Sequence, residues 1–156
     1  MEKELRSKTQ FPTEDAIWNA VLDFASTVEF PTGDSFIDEL VILVCAFNEL
    51  ESGGHEALLN WNIDIITKIG IERYVQALTN QLQEVGAHSL ASTEQQYALK
   101  YWKLYNMLER GEIEEEAFYE VIEHVDTVYY SYSEQLHDLM QQYFNQIYTK
   151  LFKISD

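Results

Sequence analysis

Apolar residues recur at every third or fourth position through most of this chain, the spacing that lines one face of an α-helix. A first helix is predicted to start near Pro12, and Asp34 or Ser35 caps a second. This second stretch, residues 36–50, is apolar almost all round, so we expect a central helix. No segment alternates polar and apolar residues with period two over a useful length, so the pattern predicts no strands.

Glycines end four of the predicted helices, beginning with Gly53 and Gly54 after the central one. Ser92 with Gln95 indicates a capping box at the start of a later helix. Further helices are predicted over residues 55–61, 63–69, 71–85, 92–110, 112–130 and 133–152. The sequence therefore predicts an all-α protein, with a mixed-charge N-terminal arm over 1–11 and a single compact domain of about six to seven helices over 12–156.

Composition favours a folded protein, because 46% of the residues are hydrophobic and 13% are aromatic despite a net charge of -17. The single cysteine, Cys45, excludes an internal disulfide and fits a reducing compartment. The first residues lack the apolar core of a signal peptide, and the longest apolar run, residues 40–47, is too short to span a membrane. We therefore expect a cytoplasmic protein with no membrane partner.

Acidic and basic residues are separated along the chain. Residues 9–67 contain eleven acids and residues 111–149 contain nine, and neither stretch contains a lysine or arginine. Carboxylates without basic neighbours create a long-range negative field, which attracts a cationic partner and repels nucleic acid. Direct binding of nucleic acid is therefore disfavoured, and a basic protein is the expected partner.

The predicted helix over 112–130 places six carboxylates within an arc of about 140° at 100° per residue, opposite an apolar face. We call these six residues the acidic stripe: Glu112, Glu115, Glu116, Glu120, Glu123 and Asp126. Over about 21 Å of helix the stripe carries one charge per roughly 3.5 Å, close to the spacing of phosphates along one DNA strand. The pattern fits either a solvated face or a partner-binding face.

The run from Asn48 to Asn60 carries a family resemblance. Its Glu-Ser-Gly-Gly-His order resembles the signature of a bacterial family of unknown function whose best-known member is a DNA mimic, although Ser52 stands where asparagine is usual and His55 where an aromatic residue is usual. The resemblance covers roughly residues 34–150. It implies an acidic helical dimer that occupies the DNA-binding surface of a regulator, with Gly53, Gly54 and Asn60 in its structural motif.

Signatures of catalysis are sparse in this sequence. Nucleotide-binding loops, the Gly-x-Ser-x-Gly elbow and zinc-type Cys/His clusters are absent. Glu134 and His137 form one Glu-x-x-His motif, whereas a di-iron bundle needs two. Cys45 lies in the most apolar helix, where a thiol is a core residue. We therefore predict no catalytic residues, no metal site and no cofactor.

The sequence favours a non-catalytic acidic binding protein that mimics DNA and occupies the basic surface of a DNA-binding regulator or nuclease-like protein. The acidic stripe is the predicted partner-binding site, extended by Glu49, Glu51 and Glu56. Two alternatives stay open: an immunity protein against a basic toxin, and a helical enzyme or small-molecule binder with a pocket near residues 53–61. Tyrosine clusters at 97–105 and 129–132 fit either core packing or a homodimer contact.

Overall fold

Six helices and two short strands make up residues 2–156, the part of the chain that the computed structural model describes. The elements are β1 (Glu4–Ser7), a 3-10 turn (Lys8–Gln10), α1 (Glu14–Thr27), α2 (Ser35–Trp61), α3 (Ile63–Ile69), α4 (Ile71–Glu84), α5 (His88–Glu109), α6 (Glu115–Leu151) and β2 (Phe152–Ser155). The predicted all-α class and the number of helices are confirmed. Within these residues, no helix combines the length and apolar character needed to cross a membrane.

Helix α2 forms the centre of the bundle and packs against α1, α3, α4 and α6. The Asp34 side chain caps it by accepting hydrogen bonds from the Phe36 and Ile37 amides. Its residues from Leu40 to Val44 are all at most 2% exposed, as expected of a helix that is apolar on every side. This burial supplies the main hydrophobic core, against which the amphipathic helices pack.

The predicted break after residue 52 lies inside α2, where the chain leaves helical geometry at two glycines. Gly53 adopts φ -161° and ψ 23°, and Gly54 adopts φ 72° and ψ -157°. Positive φ is costly for residues with a Cβ atom, so Gly54 is suited to this turn. The break divides α2 into a long first segment, residues 35–52, and a short second segment, residues 55–61, which runs in a new direction.

The prediction of two helices over 112–130 and 133–152 is wrong, because α6 is continuous from Glu115 to Leu151. The joining region, residues 129–133, is rich in aromatic residues and serines, which favour helices only weakly. It contains no glycine or proline, Tyr129 is 2% exposed, and the hydroxyl of Ser131 bonds to the Val128 carbonyl within the helix. Tertiary packing therefore carries the helix through this region.

Helix α5 starts at His88, four residues before the predicted capping box, and Ser92 is exposed inside it. Gly86 has φ 95° and gives a tight turn in which the Ala87 amide bonds to the Leu82 carbonyl. Because this turn reverses the chain within a few residues, α5 begins at once and packs along α4. The helix needs no side-chain cap at the predicted position.

The N-terminal arm is tied to the other end of the domain rather than extending from it. β1 pairs in parallel with β2, with Glu4 opposite Phe152 and Ser7 opposite Ser155. The absence of strands in the prediction is therefore wrong for these residues. Two four-residue strands are too short for a period-two pattern to show, and their pairing depends on α6 bringing residue 152 next to residue 4.

Candidate functional site

The break in α2 lies directly against α6, and Asp126 makes the contact. The backbone N–H of His55 donates to Asp126 Oδ1 at 2.8 Å. A Cβ atom added at Gly54 would lie 2.6 Å from Asp126 Oδ2, closer than any such pair can approach. Gly54 is therefore required twice, for its positive φ and for the approach of this carboxylate.

The side chain of His55 bridges two carboxylates from different helices. Its Nδ1 lies 2.7 Å from Asp126 Oδ1 of α6, and its Nε2 lies 2.5 Å from Glu94 Oε1 of α5. Tyr101, seven residues after Glu94, donates its hydroxyl hydrogen to Glu94 Oε2 at 2.6 Å. We call His55, Glu94, Tyr101 and Asp126 the buried cluster; it links α2, α5 and α6.

Burial makes these contacts strong and makes each partner necessary. His55 and Tyr101 are 1% exposed and Glu94 is 3% exposed. The Tyr101 ring also packs edge-on against the imidazole, with 5.3 Å between centroids. A carboxylate in such surroundings is tolerated only when it is paired and hydrogen-bonded, and Glu94 has two contacts that meet this need: the ion pair and hydrogen bond with His55, and the hydrogen bond from the Tyr101 hydroxyl.

The electrostatics of the buried cluster favour a charged histidine. Burial alone lowers the pKa of His55, but the Glu94 charge and the hydrogen bonds to Asp126 and Glu94 outweigh it and raise the pKa from 6.5 to about 9. Burial has the opposite effect on Glu94 and raises its pKa, but the His55 charge and the hydrogen bonds from His55 and Tyr101 bring that pKa below its ordinary value. At neutral pH the cluster therefore holds an imidazolium between two carboxylates.

The same burial separates this cluster from any substrate, since its imidazole and the Glu94 carboxylate have almost no contact with solvent. The adjoining void between α2, α4, α5 and α6 holds about 10 Å³, enough for one water at most. Among residues 2–156, no group of three or more potential ligands has the arrangement of a metal site. In this conformation the cluster acts as a structural anchor that links α2, α5 and α6.

Asp126 is placed differently from the rest of the acidic stripe. Helical periodicity puts it on the solvent face of α6, but its carboxylate is 21% exposed and is committed to His55. The expectation that Asp126 stands free on the solvent-facing stripe is therefore wrong. The reason is tertiary: the second segment of α2 crosses α6 at this turn and covers one edge of the stripe.

Glu112 also differs from the prediction, because it precedes α6 and lies in the turn after α5. Its carboxylate pairs with Arg110 Nε at 2.8 Å, and both side chains are about half exposed. An exposed pair of this kind contributes little to stability and reduces the negative field at that end. The stripe consequently starts with α6 itself.

Four members of the stripe remain exposed along one side of α6, and we call them the open quartet: Glu115, Glu116, Glu120 and Glu123. Among residues 2–156, none of the four has a basic group within 4.0 Å. They span nine residues, which are eight steps or about 12 Å of helix, and this gives one charge per roughly 3–4 Å. The charge spacing on which the prediction was based is thus retained over this shorter length.

The three acids predicted to extend the stripe have different surroundings. Glu51 accepts a hydrogen bond from the Tyr129 hydroxyl of α6 at 2.9 Å. Glu56 stands beside Tyr119 of α6, where its carboxylate raises the pKa of that phenol. Glu49 is half-buried on α2. Burial of the Cys45 thiol, together with the charge of Glu49, raises the pKa of Cys45 to about 11. Glu51 and Glu56 therefore flank α6, whereas Glu49 faces the Cys45 thiol.

Asn60, the third residue of the predicted structural motif, links α2 to α5. Its Oδ1 accepts a hydrogen bond from the Tyr105 hydroxyl at 3.1 Å. Gly53 is exposed at the break, where an added Cβ would meet Ala57 at 3.0 Å. The motif thus holds the second segment of α2 between α5 and α6.

Sequence reasoning missed Glu94 and named Tyr101 only as part of the tyrosine cluster at 97–105, without a partner for its hydroxyl. The signal was present in α5, where residues spaced by three, four or seven form its buried face: Leu90, Ala91, Glu94, Ala98, Tyr101 and Tyr105. A glutamate on an otherwise apolar face indicates an internal partner, because an unpaired buried carboxylate is too costly. The identity of that partner, 39 residues away, was not deducible from spacing.

Comparison with known proteins adds no further identification: no family model, curated protein or solved structure matches this chain.

Proposed function

We propose that this protein is a non-catalytic acidic binding protein that occupies the basic surface of a DNA-binding protein and competes there with DNA. The observation that supports it is the open quartet: unpaired, exposed glutamates along one side of a continuous 37-residue helix. Their spacing is comparable to that of phosphates on one DNA strand, about 3.4 Å. A basic groove that accepts a DNA backbone can accept such a row.

The anchoring of this face supports the same proposal. Binding costs less free energy when the charged groups are already held in place. α6 is fixed by the buried cluster on one side and by the contacts of Tyr119 and Tyr129 with the flanking acids Glu56 and Glu51. Tyr119 and Tyr130 are 37% and 51% exposed beside the charges, and tyrosine is enriched in protein interfaces.

The proposal is tested by capturing partners from lysate of the source cell at low and at high salt and identifying them by mass. We expect a basic DNA-binding protein that is released by salt and displaced by duplex DNA. Capture of a nuclease toxin instead would favour the immunity alternative. Absence of any specific basic partner at low salt would contradict the proposal.

The site is tested by reversing three charges of the open quartet in Glu116→Lys, Glu120→Lys and Glu123→Lys together. We expect loss of partner binding with helix content unchanged, since all three side chains are exposed. The matched control reverses Asp23, Glu72 and Glu84, three exposed acids on α1 and α4. Equal losses in both triple variants would show that net charge, and not this face, determines binding.

A further inference from the structure

A groove on another side of the molecule carries basic as well as acidic side chains, unlike the open quartet of α6. It holds about 690 Å³ and is lined by the loop over 30–33, the start of α2, the end of α3 and one face of α4. None of its lining residues belongs to α6. Its volume lies in the range of small-molecule sites, which are typically 300–1,000 Å³. We call it the α2–α4 groove.

The lining of this groove is largely apolar with a cationic rim. Ile42, which is 2% exposed, and the half-buried Ala77 and Ile69 contribute the apolar part. Lys68 at the end of α3 and Arg73 in the first turns of α4 contribute the cations, and both are exposed. Apolar lining with a few charged groups is the usual design of a site that orients a small ligand.

Among the described residues, the two cations of the groove have no carboxylate partner, whereas its two acids accept hydrogen bonds from uncharged groups. Asp38 accepts hydrogen bonds from the Thr32 amide at 2.8 Å and hydroxyl at 2.7 Å, and from the Gly33 amide at 3.2 Å. Glu39 accepts one from Asn80 at 3.2 Å. Among residues 2–156, neither Lys68 nor Arg73 has a carboxylate within 4.0 Å, although the chain has 27 acids and ten bases.

We propose that the α2–α4 groove binds a small monocarboxylate with an apolar body, whose carboxylate pairs with Lys68 and Arg73 while its apolar body covers the half-buried Ile69 and Ala77. Arginine and lysine are the side chains that bind carboxylates most directly. The apolar floor would gain free energy from being covered. A single negative charge is favoured over a polyanion because the net charge of the chain is -17.

Decanoate is the probe, and its binding is followed by the amide chemical shifts of the intact protein at constant ionic strength. We expect saturable shifts at Gly33 and Ala77 and none at the open quartet. The variant Lys68→Gln with Arg73→Gln is expected to lose about tenfold in affinity, since each charge-assisted contact is removed. The matched control, Lys100→Gln with Lys103→Gln, changes the same charge at exposed positions of α5 and is expected to bind as the unmodified protein does.

Two further probes separate the polar and apolar parts of the site. Decanol, which has the same tail without charge, is expected to bind about tenfold more weakly than decanoate. Ala77→Leu fills part of the apolar floor of the groove. It is expected to weaken the binding of decanoate, while the amide spectrum remains that of a folded protein. Equal binding of decanoate and decanol, or equal affinity in the groove and control variants, would overturn the proposal.

One remaining result would also overturn it. Shifts of the groove amides with protein concentration, and none with decanoate, would mean that the groove holds a second copy of this chain. The proposal is independent of the partner bound by α6, because the groove variants leave the open quartet intact. Its failure and the failure of the proposed function are therefore distinguishable.

Discussion

Two groups of carboxylates on and around α6 lie in different environments, one exposed to solvent and one bound to His55. Glu123 and Asp126 are three residues apart on the same helix, yet among the described residues Glu123 is exposed without a basic partner, while Asp126 is only 21% exposed and binds His55. Glu94 is buried still more deeply and lies against the same imidazole. The environment of a carboxylate therefore determines its role: an internal counter-ion makes Asp126 part of the scaffold, and its absence leaves the open quartet exposed.

Removing the counter-ion, His55, is expected to cause the largest loss of stability. His55→Phe leaves Glu94 buried without its positive partner, and we expect a loss of about 3–5 kcal/mol in the free energy of unfolding. Urea denaturation measures it. His88→Phe makes the same substitution at an exposed position on α5 and is expected to be nearly neutral. Similar costs for the two variants would contradict the role given to His55.

The break that brings Asp126 to His55 is tested at Gly54. Gly54→Ala places a Cβ 2.6 Å from the Asp126 carboxylate at φ 72°, and we expect a loss of about 3 kcal/mol. Gly33→Ala is the control, because Gly33 has φ 88° with no atom within 4 Å of the added Cβ. Its expected cost is about 1–2 kcal/mol, from backbone strain alone. Equal costs would mean that the Asp126 approach adds nothing.

A pH titration of stability tests the His55 ion pair without changing any residue. Because the pKa of His55 is raised from 6.5 to about 9, its contribution to stability is fully present below pH 6.5 and is lost as the pH rises through 9. We expect the free energy of unfolding to fall between pH 6.5 and pH 9.5 in thermal or urea denaturation. The fall should be absent from His55→Phe; the same slope in that variant would assign the effect to other groups.

At the acidic end the sign is reversed, since the pKa of Glu94 is lowered. Its contribution is present above the ordinary value of 4.5 and is lost as the pH falls through the folded-state pKa. Glu94→Gln keeps the shape of the side chain without its charge, so it is expected to reduce the steepness of acid unfolding. An acid unfolding transition of unchanged steepness would show that the Glu94 charge does not contribute to the pH dependence of stability.

The smallest expected effect is in the open quartet. Glu120→Gln removes a like charge four residues from Glu116, and we expect stability to stay constant or to rise by a few tenths of a kcal/mol. Denaturation at low salt measures it, and added salt should raise the stability of the unmodified protein by a similar amount. A loss above about 1 kcal/mol would mean that Glu120 has a structural role.

Local sequence determined much of the architecture. The glycine pair at 53–54 predicted the break in α2, and the periodicity of α6 identified the open quartet. These features depend on neighbours within one or two turns, for which side-chain spacing and backbone freedom are decisive. The start of α5 was misplaced because the Gly86 turn, and not the Ser92 capping box, sets where the helix begins.

The other features of the fold depend on contacts between elements that are remote in sequence. The tertiary structure pairs His55 with Glu94 and Asp126 over 39 and 71 residues, joins β1 to β2 across the chain, and carries α6 through its weak region around Tyr129. Each of these depends on burial against elements remote in sequence, which periodicity does not encode. The sequence therefore specified the row of carboxylates on α6, and the packing of α2 and α5 decided that Asp126 binds His55 while the open quartet stays exposed.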